Sequence, residues 1–323
     1  VFVSSRQTPT QLKCMLQKPS MQTLGQLQKE HFYLTDIGVW LLSDRAVKVL
    51  MRRSMRDGEV TNYDMYGEFG CCLGTDPTID DPEVNDLKVA ILPLPGGEFY
   101  HFGTSHEIVS SMLDIQNIVN DQREIMHHSL KPHPSMFTQN SEVEIKITEH
   151  NQNLWIENSC VSAQWTIAHE NIITGVPRNQ WKIELRPGQC VDIVPIGDES
   201  YAIRPYGFND KFRGDITDGV TEYLGEPFTR WAEERGIDAA AIEGKDDLQS
   251  ARIFPVVDNI NDAGLVLRWM LNEPYQQGGR VVWNEAQRLS ADEISAQANL
   301  RRLVEQRREN RAQNWSFLSH NYA

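Results

Sequence analysis

Leu154-Trp-Ile-Glu-Asn-Ser159, Ile172-Ile-Thr-Gly-Val-Pro177 and Cys190-Val-Asp-Ile-Val-Pro-Ile196 are short apolar runs, and the way they are read decides the fold. Around them Val143, Ile145 and Ile147 alternate with Glu144 and Lys146, and further runs occupy Trp181 to Leu185 and Tyr201 to Ile203. Turns such as Glu157-Asn-Ser159, Pro177-Arg-Asn179 and Arg186-Pro-Gly188 separate them. Short, spaced strands with little helix between them belong to a β-sandwich, a barrel or a parallel β-solenoid. No exact hexapeptide repeat marks the solenoid.

Upstream the pattern differs. Phe32-Tyr-Leu-Thr-Asp-Ile-Gly-Val-Trp-Leu-Leu42 is apolar enough to predict a strand buried on both faces. Ser43 or Asp44 then caps a helix through Arg56, with Ala46, Val47, Leu50 and Met51 inward and Asp57-Gly58 ending it. A second buried strand is expected over Lys88 to Leu94. It leads into a long helix carrying Ile108, Val109, Met112, Ile115, Val119 and Met126, which Lys131-Pro-His-Pro134 stops. Strand, helix, strand, helix is the order of an open α/β sheet, here its second half. From about Asp215 helical patterns return, over Pro227 to Arg235 and Ile260 to Leu271. Ser290-Ala-Asp-Glu293 is a capping box that opens a charged amphipathic helix to about Ala312, with Ile294, Ala298, Leu303 and Val304 on its apolar side. The expected domains are therefore an α/β part over residues 1–131, an all-β part over 132–215 and a mixed, helical segment over 216–323.

Composition narrows the function. The chain has 323 residues and a formal charge of −14, which disfavours nucleic acid or an anionic membrane as partner while leaving free nucleotides open. Five cysteines, Cys14, Cys71, Cys72, Cys160 and Cys190, follow no disulfide pattern and predict reduced thiols in a cytoplasmic protein. No CxxC pair or His-x-x-x-His spacing supports zinc. No apolar run approaches the roughly 20 residues that span a bilayer. The chain opens at Val1, without an initiator methionine and in what reads as the middle of a strand, which predicts a piece of a longer polypeptide.

Candidate chemistry clusters in few places. In Leu92-Pro-Leu-Pro-Gly-Gly-Glu-Phe-Tyr-His-Phe-Gly-Thr-Ser-His-Glu107, Gly96 and Gly97 permit close backbone approach, and Thr104 with Glu107 forms a capping box whose helix end attracts anions. On spacing alone this corner is equally a tight loop before a well-capped helix. Lys18, before a loop, is a compact charge suited to a sugar phosphate or leaving pyrophosphate, or an ordinary exposed lysine. Asp36 interrupts an apolar run and needs a cation, a metal or N–H donors; Gly38 beside it admits a close neighbour. His127-His128 and His133 read as helix-end charges, and Asp80-Asp81-Pro-Glu83 and Asp246-Asp247 as solvated turns. Arg204-Pro-Tyr-Gly207 with Lys211 and Arg213 is a basic patch able to meet a phosphate or an acidic neighbour. No nucleophile elbow, Walker loop or GxGxxG occurs.

Leu16-Gln-Lys-Pro19, Asp36-Ile-Gly-Val-Trp-Leu-Leu-Ser-Asp44 and Gly97-Glu-Phe-Tyr-His-Phe-Gly-Thr-Ser105 stand in the order seen in the second half of sugar-phosphate nucleotidyltransferases. Together with Leu92-Pro-Leu-Pro-Gly-Gly-Glu-Phe-Tyr-His101, Asp121-Gln-Arg123, Ile125-Met-His127, Trp155-Ile-Glu-Asn-Ser159, Ile172-Ile-Thr-Gly-Val-Pro177, Leu265-Val-Leu-Arg-Trp-Met-Leu271 and Ser290-Ala-Asp-Glu-Ile-Ser295, they resemble the L-fucose-1-phosphate guanylyltransferase (GDP-fucose pyrophosphorylase) family, found in bacteria fused to a fucokinase. The likeness covers almost the whole chain. It implies the C-terminal half of a Rossmann-like nucleotidyltransferase sheet, then a parallel β-helix, then a helical linker toward a kinase domain. It further implies Mg²⁺-assisted formation of GDP-L-fucose and pyrophosphate from GTP and β-L-fucose 1-phosphate, with Lys18 and Asp36 catalytic and Asp36 a metal contact. Gly38, Gly97, Glu98, Gly103 and Thr104 fall on the substrate side. The family's glycine-rich nucleotide loop is absent, so this chain alone is expected to be inactive. Two alternatives stay open: a pyrophosphorylase for another sugar 1-phosphate, and a non-catalytic solenoid scaffold for interdomain docking.

Overall fold

The computed structural model describes residues 1–119 and 135–321. The expected helix stop at Lys131–Pro134, together with Met126, His127, His128 and His133, lies outside the described residues. By internal contacts the chain divides into two units, Val1–Phe99 and Tyr100–Ala323.

In the first unit a three-stranded sheet runs in the order Leu12–Met15, Phe2–Ser5, His31–Leu34, antiparallel throughout. Its inner face meets Val49 of the helix Asp44–Arg53 and buries Leu12, Phe69, Cys72, Leu73, Val84 and Ile91. Ser43 caps that helix through its Oγ, which accepts the Ala46 N–H at 3.3 Å. The helix ends three residues short of Arg56, and Val47 and Met51 face solvent while Ala46 and Val49 are buried.

Two expected strands are corrected here. The run Phe32–Leu42 holds strand geometry only to Leu34. Beyond it, Asp36 bends the chain by accepting the Gly38 N–H, Trp40 turns inward against Phe2, Tyr66 and Phe69, and Val39 and Leu41 are left 69% and 84% exposed. Apolar content outran strand-forming ability because Gly38, at φ 78°, needs the left-handed region. Lys88–Leu94 makes a single bridge, Ala90 to Gln11, since Pro93 and Pro95 have no N–H to continue a ladder. The strand–helix–strand order of an open parallel sheet is therefore not realised in this unit.

The second unit contains a β-solenoid of about three turns. Met136–Gln139, Leu154–Glu157, Ile172–Thr174 and Gln189–Ile196 lie side by side in parallel, with Met136 opposite Leu154, Trp155 opposite Ile172 and Ile173 opposite Val191. The coil thus closes every 17 or 18 residues. Glu142–Val143 pairs with Cys160–Val161 on a second face, and Thr166–Ile167 with Glu184–Leu185 on a third. Leu154, Ile156, Val161, Ile173, Ile183 and Val191 fill the interior at no more than 1% exposure. Alternation along each strand places their neighbours outside.

The corners explain the missing hexapeptide signal. Asn153, Glu170 and Gly188 precede the first-face strands, Asn140, Asn158 and Gly175 follow them, and all six take positive φ. At Gly175 a Cβ would overlap the carbonyl oxygen of Ile193 on the next coil, so glycine is required there. A second device repeats at the third corner. The Oδ1 atoms of Asn151 and Asn171 and Oε1 of Gln189 accept the N–H groups of Thr148, Ala168 and Arg186, each three residues back. Asn151 Nδ2 donates forward to the carbonyls of Ile167 and Ala168, and Asn171 Nδ2 to those of Arg186 and Gln189. Asn272, the C-cap of the helix Ile260–Leu271, closes this amide ladder.

Past the last coil Gln189–Ile196 turns back through Ser200–Gly207, and Phe254–Val257 and Arg288–Leu289 extend the sheet to seven strands. The helices Phe228–Arg235, Ile260–Leu271 and Gln277–Glu285 share its core through Trp231, Trp269 and Trp283. Arg235, 3% exposed, donates to the carbonyls of Trp231, Trp269, Met270 and Leu271. Three of these belong to the last turn of Ile260–Leu271, whose carbonyls have no partner within the helix. The helix Ser105–Val119 covers the sheet's outer face, where Val109 and Leu113 meet Ile172, Cys190 and Phe208.

The terminal segment is two helices rather than one. Ser290 and Glu293 form the expected reciprocal capping box, but the helix they open ends at Gln297. Asn299 breaks the run: its N–H bonds the Pro195 carbonyl, its Nδ2 the Gly197 carbonyl, and its Oδ1 caps the next helix, Leu300–Asn321, at Arg302. Among the described residues no helix is long and apolar enough to cross a membrane.

Candidate functional site

Lys18 follows the strand Leu12–Met15 on an exposed bend and has φ 44°, a conformation uncommon for a residue with a side chain. Its ammonium acts on Asp64, helping backbone hydrogen bonds from Gly67 and Tyr66 to hold that carboxyl below its usual range.

Asp36 is half-buried in a tight turn. Its Oδ1 accepts the Gly38 N–H at 2.9 Å and its Oδ2 the Trp40 indole N–H at 3.0 Å. Both oxygens thus have a donor, which accounts for a carboxylate in an apolar run. A carboxylate offers about four lone-pair directions, so one outward position remains on each oxygen. Such a group suits a divalent ion held by one carboxylate and substrate phosphates, though no cluster of three metal-ligating side chains occurs among the described residues. Gly38 has φ 78°, and the Tyr66 hydroxyl lies nearest to where its Cβ would be.

Gly97 and Glu98 are exposed at the end of the first unit, after Gly96 at φ 68°. Gly103 and Thr104 open the second unit at the start of Ser105–Val119. There the Thr104 half of the expected capping box is realised. Thr104 Oγ1 accepts the Glu107 N–H at 3.2 Å, and Glu107 Oε2 takes the Thr104 hydroxyl at 3.1 Å. His101 Nδ1 stands 2.9 Å from the same Glu107 oxygen, and the Ser111 hydroxyl holds the His101 carbonyl at 2.6 Å. His101 is the main cause that lowers the Glu107 carboxyl. The structure therefore brings Asp36 and Gly38 into one turn, and Gly103 and Thr104 into one helix cap.

Other sequence candidates resolve as structural. Arg204 is ion-paired with Asp192, which also accepts the Thr174 hydroxyl. Asp81 caps the helix Pro82–Asn85 and pairs with Arg53 at 2.7 Å, and Asp247 accepts the Gly214 and Gln249 N–H groups. All five cysteines are buried and free. Burial drives the Cys190 thiol far above its ordinary value, so it is a packing residue.

Sequence reasoning missed two clefts in the second unit. One, of about 360 Å³, is lined on the solenoid by Glu142, Glu144, Ser162, Arg178 and Trp181 and closed by Asn261. The other, of about 530 Å³, gathers Arg235, Arg252, Arg280 and Arg288. Glu142 and Asn261 stand 119 positions apart and Arg235 and Arg288 53, so no local stretch of sequence showed either cleft.

The model of the fucose pyrophosphorylase domain matches residues 83–259, more than half of the chain. L-Fucokinase/L-fucose-1-P guanylyltransferase of Bacteroides fragilis is 52% identical over the whole chain, which spans 34% of that relative's length. No solved structure matches the chain.

Proposed function

The chain belongs to the fucose pyrophosphorylase family, and from that premise we propose that it is part of a guanylyltransferase making GDP-L-fucose and pyrophosphate from GTP and L-fucose 1-phosphate. The parent protein would also phosphorylate L-fucose, as the name of the Bacteroides fragilis relative describes. The observation that carries this reading is 52% identity to that relative over the full length of the chain. Five buried free thiols support a cytoplasmic setting.

In the proposed reaction a phosphate oxygen of the sugar phosphate attacks the α-phosphorus of GTP in line. The bond from that phosphorus to the bridging oxygen breaks, and pyrophosphate leaves with the electron pair. Negative charge gathers on the α-phosphoryl oxygens and the leaving group, so fixed positive charge accelerates the step. Lys18 is exposed and carries its charge at the end of a flexible stem, suited to a sugar phosphate. Asp36, oriented by Gly38 and Trp40, is the residue proposed to hold Mg²⁺. When bound, the ion supplies further neutralisation of phosphate charge. Gly97, Glu98, Gly103 and Thr104 are assigned to the sugar side. With no phosphate-gripping glycine loop in this chain, the GTP phosphates are assigned to other parts of the longer protein and the kinase activity to a separate domain.

The test is pyrophosphate release by the full-length protein carrying Lys18→Ala or Asp36→Ala. Each change is expected to lower the rate by about 10²-fold or more. Wild-type rates in both variants would remove these residues from the mechanism. A panel of sugar 1-phosphates with GTP and UTP fixes sugar and base preference.

A further inference from the structure

The cleft of about 530 Å³ lies between the end of the helix Phe228–Arg235, the turn after it and the helix Gln277–Glu285. Four arginines in one cleft run against the sign of a chain with net charge −14. Their partners divide them. Arg252 is neutralised, since Glu293 and Glu243 both bind it. Arg235 is buried and bonds only main-chain carbonyls; its nearest carboxylate, Glu234, is 3.9 Å away. Arg288 stacks 4.3 Å from the Trp283 ring centroid and donates one hydrogen bond, to the Trp283 carbonyl at 2.9 Å. Arg280 is exposed, and its side chain makes no hydrogen bond or ion pair among the described residues. On the opposing wall Glu243 is held by Arg252, and Asp238 accepts the Ala240 N–H at 3.0 Å.

Arg280 and Arg288 thus border the cleft without a carboxylate partner, and behind them Arg235 has one only at 3.9 Å. Burial alone weakens the charged form of Arg288; at Arg235 burial outweighs the partial compensation from Tyr223, Glu226 and Glu234. Planar guanidinium forks match phosphoryl oxygens two at a time. Arg288 already covers one face of Trp283, which is only 5% exposed, so the cleft offers little to a stacking base. We infer that this cleft binds the phosphoryl group of a small phosphorylated ligand, with Arg280 and Arg288 as donors and Arg235 as a fixed charge behind them. The inference concerns this cleft alone and does not rest on the transferase reading.

The experiment is isothermal titration of the full-length protein with inorganic phosphate, inorganic pyrophosphate and GDP in separate runs, and with citrate as a carboxylate of comparable charge. Arg280→Glu reverses an exposed charge and leaves the fold intact, which an unchanged melting temperature verifies; Arg301→Glu on the terminal helix is the matched control. The expected result is that at least one phosphorylated probe loses one site per chain, or about ten-fold in affinity, in Arg280→Glu and not in Arg301→Glu. The probe bound most tightly identifies the ligand class. Superimposable isotherms for wild type and Arg280→Glu with all three probes would overturn the inference, and so would citrate binding as tightly as pyrophosphate.

Discussion

Asn272 and Gln189 exchange two hydrogen bonds: Gln189 Nε2 donates to Asn272 Oδ1 at 3.0 Å, and Asn272 Nδ2 returns one to Gln189 Oε1 at 2.9 Å. One residue ends a helix and the other begins the last coil, so the pair joins the solenoid's amide ladder to the helical layer. Asn171, fully buried in the middle of that ladder, satisfies three main-chain groups. Asn171→Ala is expected to cost about 2–4 kcal/mol, because buried donors and acceptors lose their partners. Asn272→Ala should cost about 1 kcal/mol, since water reaches that end. Urea unfolding of both variants checks the ranking, and equal losses would contradict it.

Gly175→Ala combines a left-handed backbone with a steric overlap onto the next coil. A loss of about 2 kcal/mol or more is expected. Asn158 holds the same corner one coil earlier at φ 50°, and Asn158→Gly should change stability by less than about 1 kcal/mol. Chemical denaturation of the two variants separates conformational need from side-chain bonding.

Arg235→Lys keeps the charge and removes the fork that holds the last carbonyls of Ile260–Leu271. Lysine carries three donors on one atom and cannot reach groups spread over a helix turn. The expected loss is about 2–4 kcal/mol, read from urea unfolding followed by tryptophan fluorescence. A neutral result would show that water substitutes for the guanidinium.

Glu293 is held below the usual glutamate range, first by its hydrogen bonds to Arg252 and then by the Ser290 N–H. A depressed carboxyl contributes stability that is present above the unfolded value and lost as pH falls through the lower, folded value. Wild type should therefore exceed Glu293→Gln in stability at neutral pH, and the two should converge in acid. Melting temperatures from pH 7 to pH 3 measure this, and a difference that stays constant over that range would exclude the linkage.

The fold was legible where one residue property sufficed. Leu154–Ile156, Ile172–Val176 and Cys190–Ile196 announced themselves as strands because a solenoid interior demands apolar side chains whatever their order. Ile260–Leu271 showed helical spacing and is helical over those residues. The repeat itself stayed hidden because its period lives in backbone conformation, which asparagine, glutamate and glycine all supply at the corners. Phe32–Leu42 misled for the opposite reason: its hydrophobicity is real, but a turn at Asp36 and Gly38 divides it. At the candidate site Thr104 and Glu107 were readable as a local cap, whereas the arginine cleft assembles from Arg235, Arg252, Arg280 and Arg288, which no local window contains.

A coil that closes every 17 or 18 residues turns chain length into a geometric quantity. One residue inserted within Ile172–Thr174 would flip every later side chain of that face, sending Ile173 to solvent and Thr174 to the core. Extra residues between Val176 and Trp181 would only enlarge a corner. Members of this family should therefore differ in length at the corners, or by whole coils, and hardly ever by a single residue within a strand.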